Sequence, residues 1–126
     1  MNLSDRIRES ESIFPEWKVL DQTGQLEQLQ EASHRKPVVI FKHSTRCGIS
    51  AHAKFRLERE WSFAPEDLDF YYLDLIAYRQ VSNQVAETLQ VTHQSPQLIL
   101  LREGKAIYDS SHHMISVEEL KKAMEG

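Results

Sequence analysis

The feature that most constrains the fold is Val38-Val39-Ile40-Phe41, an unbroken β-branched and aromatic run that starts at Pro37 and gives way to a polar loop. A strand with one face in water alternates apolar and polar residues, whereas a strand covered on both faces does not. This run therefore predicts a central strand with layers above and below it. Helices are available to supply the layers. Leu26, Leu29 and Ala32 fall three apart between Gln25 and His34, an amphipathic pattern that Lys36-Pro37 stops. Val81, Val85 and Leu89, four apart, predict another helix with a buried stripe.

The remaining segments complete an alternating order. Residues 1–15 lack sustained periodicity and end in Phe14-Pro15, so they are expected to form an N-terminal arm, followed by a short strand at Trp17-Lys18-Val19-Leu20. Ser44-Thr45 precedes a helical pattern from about Cys47 to Trp61, and Leu68 to Leu75 predicts a second core strand. Leu98 to Leu101 and Ala106 to Tyr108 flank Glu103-Gly104-Lys105, for which a hairpin is the simplest connection. Ser116-Val117-Glu118-Glu119 is a capping box, and Val117, Leu120 and Met124 give the last helix its apolar face. The resulting β-α-β-α-β-α-β-β-α order predicts a single α/β domain: a mixed sheet, parallel where helices cross over and antiparallel at the hairpin, with helices on both faces.

At 126 residues such a domain can bury one core without disulfide staples, and the single cysteine could not form one internally. A net charge near −4 offers no basic field for nucleic acid. Asp5, Arg6, Arg8, Glu9 and Glu11 break up the N-terminus, and no apolar stretch approaches membrane-spanning length, so neither a secretory leader nor a membrane partner is expected and the expected address is cytoplasmic.

The lone thiol, Cys47, falls where the central strand's loop feeds a helix. Unpaired N–H groups and the macrodipole at a helix N-terminus favour an anion, which lowers a thiol pKa and enlarges its reactive fraction near neutrality. Arg46, Lys42 and His43 are read as cations pushing the same way. Most free cysteines are buried small hydrophobes, but Thr45, Arg46, Gly48 and Ser50 are polar or small, which favours the reactive thiolate here. Cys47-Gly48-Ile49-Ser50 has the spacing of a Cys-x-x-Cys redox pair with serine second. Ser50 either hydrogen-bonds the thiolate or serves as an ordinary first-turn helix residue; in neither role can it resolve a mixed disulfide. Ser95-Pro96 is the second feature, because a proline removes a ladder N–H and marks where the strand Gln97 to Leu101 begins, a place where a cis peptide is a specific structural device.

From about Trp17 onward, Cys-x-x-Ser after Val38 to Phe41, Tyr72-Leu73-Asp74, Val91 to Pro96 leading into Leu98 to Leu101, and the Gly104-Lys105 turn resemble thioredoxin-fold proteins. More closely, His43-Ser44-Thr45-Arg46-Cys47, Gln94-Ser95-Pro96-Gln97, Gly104-Lys105 and Ser111-His112 resemble the monothiol bacilliredoxin family of the bacillithiol redox system. The resemblance implies that Cys47 attacks a protein–bacillithiol mixed disulfide, takes the low-molecular-weight thiol onto itself and releases the protein thiol. It further implies a cis Ser95-Pro96 bond, with the Ser95 backbone pairing with the substrate chain, and bacillithiol as co-substrate rather than a tightly bound cofactor. Arg46, Gly48, Ser50, Ser95, Pro96 and His112 are the expected substrate-binding residues around the catalytic Cys47. Gly48 departs from the proline that many family members carry at that place, and Cys47-Gly48-Ile49-Ser50 comes close to the Cys-Gly-Phe-Ser of monothiol glutaredoxins. Those use one cysteine with glutathione to hold an iron–sulfur cluster between two subunits, so a cluster carrier and a noncatalytic thioredoxin-like module stay open beside the enzyme.

Six histidines raise the question of a metal, but the set has no Cys-x-x-Cys or His-x-x-x-His spacing, and no metal site is expected. His112 is expected on the active-site side, as a substrate or proton-transfer group or as a surface residue, and His52 on the solvated face of its helix. Asp74, Tyr78 and Arg79 are expected to cap the following helix or frame the groove.

Overall fold

A computed structural model describes residues 18–45 and 48–125. The strands are β1 (Lys18–Val19), β2 (Val38–His43), β3 (Asp69–Asp74), β4 (Gln97–Arg102) and β5 (Lys105–Ser111). Between and after them run α1 (Gln25–Ala32), α2 (Gly48–Glu60), α3 (Arg79–Leu89), a 3-10 turn (His112–Met114) and α4 (Val117–Glu125). The sheet order is β1-β3-β2-β4-β5, with β1, β3 and β2 parallel and β4 and β5 antiparallel. The mixed α/β sheet that the element order predicts is therefore the one observed, with the continuous apolar run of β2 at its centre. Trp17 and the expected arm lie outside the described residues.

Alternation along each strand divides the core into two layers. Val39, Phe41, Leu98 and Leu100 pack on Ala53 and Leu57 of α2 and Leu120 of α4, while Val38, Ile40, Leu73, Ile99 and Leu101 pack on α1 and α3 through Leu26, Leu29, Val81 and Val85. Three local signals act as their chemistry dictates. The Ser116 hydroxyl accepts the Glu119 N–H at 3.1 Å, closing that half of the capping box. Glu103 and Gly104 both have positive φ, 56° and 77°, as the tight β4-β5 hairpin requires. That turn is held to the end of α1, where Ser33 Oγ accepts the Gly104 N–H at 2.7 Å.

Several boundaries move, β5 among them, which runs on past Tyr108 to Ser111, and two of the shifts are instructive. The predicted α1 extends to His34, but the helix ends at Ala32 because Ser33 turns its hydroxyl back onto the Gln30 carbonyl, 2.6 Å away. The central strand, in contrast, runs past Phe41 through Lys42 and His43, both buried. That extension shapes the site.

Candidate functional site

The parallel strands β2 and β3 end where the antiparallel β4 begins and β5 finishes. His43 pairs with Asp74, Lys42 with Gln97, and Gln97 with Ser111, so the loops that follow or precede these residues collect at one edge of the sheet. Ser44 and Thr45 leave β2, and Gly48 opens α2, exposed to solvent. Arg46 and Cys47 lie outside the described residues. Ser50 is fully buried, and its Oγ accepts the Ser44 N–H at 3.2 Å, joining the first turn of α2 to the end of β2. The hydroxyl oxygen thus has a partner inside the turn.

On the far side of β2, the Ser95-Pro96 peptide is cis, as the resemblance implies, and Pro96 is buried. Its carbonyl accepts the N–H of His112 at 3.1 Å, and His112 itself turns through the left-handed region with φ 55°. Arg56 of α2 reaches the carbonyls of His112 and His113, each at 3.5 Å. Gly48, Ser50, Ser95, Pro96 and His112 are therefore gathered by α2, β4 and the 3-10 turn, with the His112 side chain exposed. His52 is exposed farther along α2. Asp74 steadies the turn after β3 by accepting the N–H groups of Ile76 and Ala77 at 3.1 and 3.3 Å, and it does not cap α3, whose N-cap residue Tyr78 makes no side-chain cap bond.

Lys42 and His43 are not the solvated cations that their charge suggests. Both are interior residues of β2, on opposite faces of the sheet. Lys42 is fully buried; Nζ lies 3.0 Å from His93 Nδ1 and donates to Gln97 Oε1 at 3.2 Å, and Gln97 Nε2 donates onward to the Thr92 carbonyl at 2.9 Å. Burial lowers the lysine to about 8. The His43 ring lies 5.8 Å from that of Phe41 and 5.5 Å from that of Tyr72, and its Nδ1 has no partner among the described residues. Burial, then the Lys54 charge, pushes it below the ordinary histidine range, against opposing contributions from Asp74, the Ser50 backbone and Glu58. His43 is thereby kept neutral.

His93 was not singled out by its sequence context, and Gln97 entered only as part of the Gln94-Ser95-Pro96-Gln97 motif and the start of its strand. The available signal was the period of two: a strand continued beyond Phe41 would turn Lys42 to the face of Val38 and Ile40, where a buried amine needs acceptors. Among the described residues, no group of three His, Asp or Glu side chains converges in a way that could hold a metal ion. His34 pairs with Glu103 at 3.1 Å beside the β4-β5 turn, away from this edge.

Residues 18–120 match the family described as monothiol bacilliredoxin BrxC. The chain belongs to the monothiol bacilliredoxin family. Among solved structures, this bacilliredoxin-family chain is similar to one described as an oxidoreductase candidate with a thioredoxin fold, at 29% identity and TM-score 0.74 over 90% of this chain and 96% of that one. A thioredoxin from Trypanosoma brucei brucei superposes with TM-score 0.68 at 15% identity, covering 89% and 90% of the two chains. The thioredoxin Mala s 13 of Malassezia sympodialis gives 0.65 at 19%, covering 85% and 86%. These matches establish a thioredoxin fold for the bacilliredoxin-family chain. None of the helices of the described residues is long and apolar enough to cross a membrane.

Proposed function

We propose that the protein removes bacillithiol, or a similar low-molecular-weight thiol, from protein mixed disulfides through Cys47. The Cys47 thiolate attacks the small-thiol sulfur, a new disulfide joins Cys47 to the small thiol, and the protein sulfur leaves as a thiolate that takes a proton from water. A second, external thiol then attacks the adduct and returns Cys47 to its reduced form. The observation that carries this reading is that a chain of the monothiol bacilliredoxin family has one cysteine and bears Ser50 where a resolving thiol would stand. A protein substrate suits the surroundings, since Ile49, Ile76 and Met114 expose apolar side chains on α2, the turn after β3 and the 3-10 turn.

Intact-mass measurement after exposure to the oxidised small thiol should show one adduct, on Cys47, and Cys47→Ser should abolish thiol removal from a modified protein. Continued removal by that variant would sink the mechanism. Thiolate absorbance followed with pH should place the Cys47 pKa below that of free cysteine.

Gly48 favours a second reading, a cluster carrier in which two chains each supply Cys47. A Cβ built at Gly48 meets nothing within 4 Å, so packing inside this chain does not itself demand glycine. Anaerobic reconstitution with iron, sulfide and the small thiol separates the two readings: a brown, dimeric product supports the carrier, and a colourless monomer supports the exchange enzyme.

A further inference from the structure

Lys42 is a buried cation with no counter-charge among the described residues. Its two side-chain partners, His93 Nδ1 and Gln97 Oε1, are acceptors on uncharged groups, and no carboxylate among the described residues lies within ion-pair distance of it. Burying a charge in that state is costly and is normally relieved by an acid nearby. Because an ammonium only donates, His93 Nδ1 must be the acceptor, which leaves the imidazole proton on Nε2. The His93 side chain is exposed, on the segment that leads into Ser95-Pro96. Burial first, then the charges of Lys42 and Arg79, hold His93 below the ordinary histidine range.

We propose that Lys42 and His93 form a carboxylate-recognition subsite for the small-thiol half of the mixed disulfide. The inference rests on the exchange reading above and names the substrate class it takes: a low-molecular-weight thiol bearing an acid group. A carboxylate accepts the His93 Nε2–H, with Lys42 supplying charge behind the ring. Ligand binding gives Lys42 the anion that the fold withholds. The subsite is preorganised, since Lys42 and Gln97 fix the loop from Thr92 onward before any ligand arrives. It also offers local attraction on a chain whose net charge of −4 repels anions as a whole.

The test uses the full chain and three small disulfides: dithiodipropionate (anionic), hydroxyethyl disulfide (neutral) and cystamine (cationic). Rates of adduct formation on Cys47 are read by intact mass, with N-acetylcysteine as the reference thiol. Relative to that reference, the protein should favour the anionic over the neutral disulfide by about tenfold, the size of one charge-assisted hydrogen bond. Lys42→Met and His93→Ala should return the ratio to the reference value. If Lys42→Met fails to fold, the exposed His93→Ala decides. A second arm uses Cys47→Ser, which cannot exchange: dithiodipropionate should shift the His93 ring resonance saturably and raise its pKa, and Lys42→Met or His93→Ala should remove the response. No shift, together with a ratio that His93→Ala leaves in place, would overturn the subsite. A normal His93 response with no adduct from any of the three disulfides would overturn the exchange reading and leave the subsite standing.

Discussion

The two ends of the central sheet solve the same electrostatic problem in opposite ways. Where β2 and β3 begin, Asp69 is largely buried, with 15% of its side chain exposed, and two lysines meet it: Lys18 at 2.9 Å and Lys36 at 3.1 Å. Burial acts to raise this carboxyl, but the lysine hydrogen bonds and charges outweigh it and hold the pKa below the ordinary range. Where the same strands end, Lys42 is more deeply buried and meets only neutral acceptors, and His43 Nδ1 and Ser95 Oγ find no partner among the described residues. One end is electrostatically closed. At the other, among the described residues, a buried ammonium meets no counter-charge and two polar side-chain atoms meet no partner. The first end is closed by its ion pairs, and the second is the end where the proposed exchange site lies.

The largest expected effect comes from breaking the turn that frames the open end. Ser50→Ala removes the acceptor of the buried Ser44 N–H and should cost about 2 kcal/mol in denaturant unfolding. A cost near zero would mean that this bond does not organise the loop. At the closed end, Asp69→Ala should cost about 1 kcal/mol, since both ion pairs are partly exposed. It should also flatten the acid limb: with a folded pKa below its ordinary 3.8, Asp69 contributes stability at higher pH that is lost as pH falls through the folded value. Urea midpoints measured from pH 6 to pH 2 read both effects.

His43→Phe replaces an unpartnered ring nitrogen by carbon between Phe41 and Tyr72 and should stabilise the protein at pH 5 by about 1 kcal/mol. The folded histidine resists protonation while the unfolded one accepts it, so the wild type loses stability as pH falls below the ordinary 6.5 and the variant does not. Lys42 works in the alkaline range. Between about 8 and its ordinary 10.5 it binds fewer protons folded than unfolded, so wild-type stability should rise across that window. Lys42→Met should lack that rise, and the stability difference between the two proteins should change in the wild type's favour. The smallest effect is at Gly48: proline is tolerated at a first helical position, and Gly48→Pro should keep the fold and stabilise it by about 0.5 kcal/mol in thermal unfolding.

Much of the fold was legible because local pattern and global packing agree in this chain. The Val38 to Phe41 run could only be a strand covered twice, and the Val81, Val85, Leu89 stripe only a helix on that sheet. Ser116 and Gly104 carry their backbone instructions in their own side chains or in the lack of one. The edge that collects Gly48, Ser50, Ser95, Pro96 and His112 was legible through motif order. What misled was polarity: Lys42 and His43 look like the end of a strand and a solvated positive loop, and both continue the strand into the core.

By itself, then, the sequence determined the β-α order, the single thiol ahead of α2 and the absence of a second thiol to resolve an adduct, because each depends on residues near one another in the chain or on a simple count. Only the tertiary structure decided that Lys42 meets His93 and Gln97 and, among the described residues, no acid. Those partners lie more than fifty residues away, and a buried charge takes its state from whatever the fold packs around it.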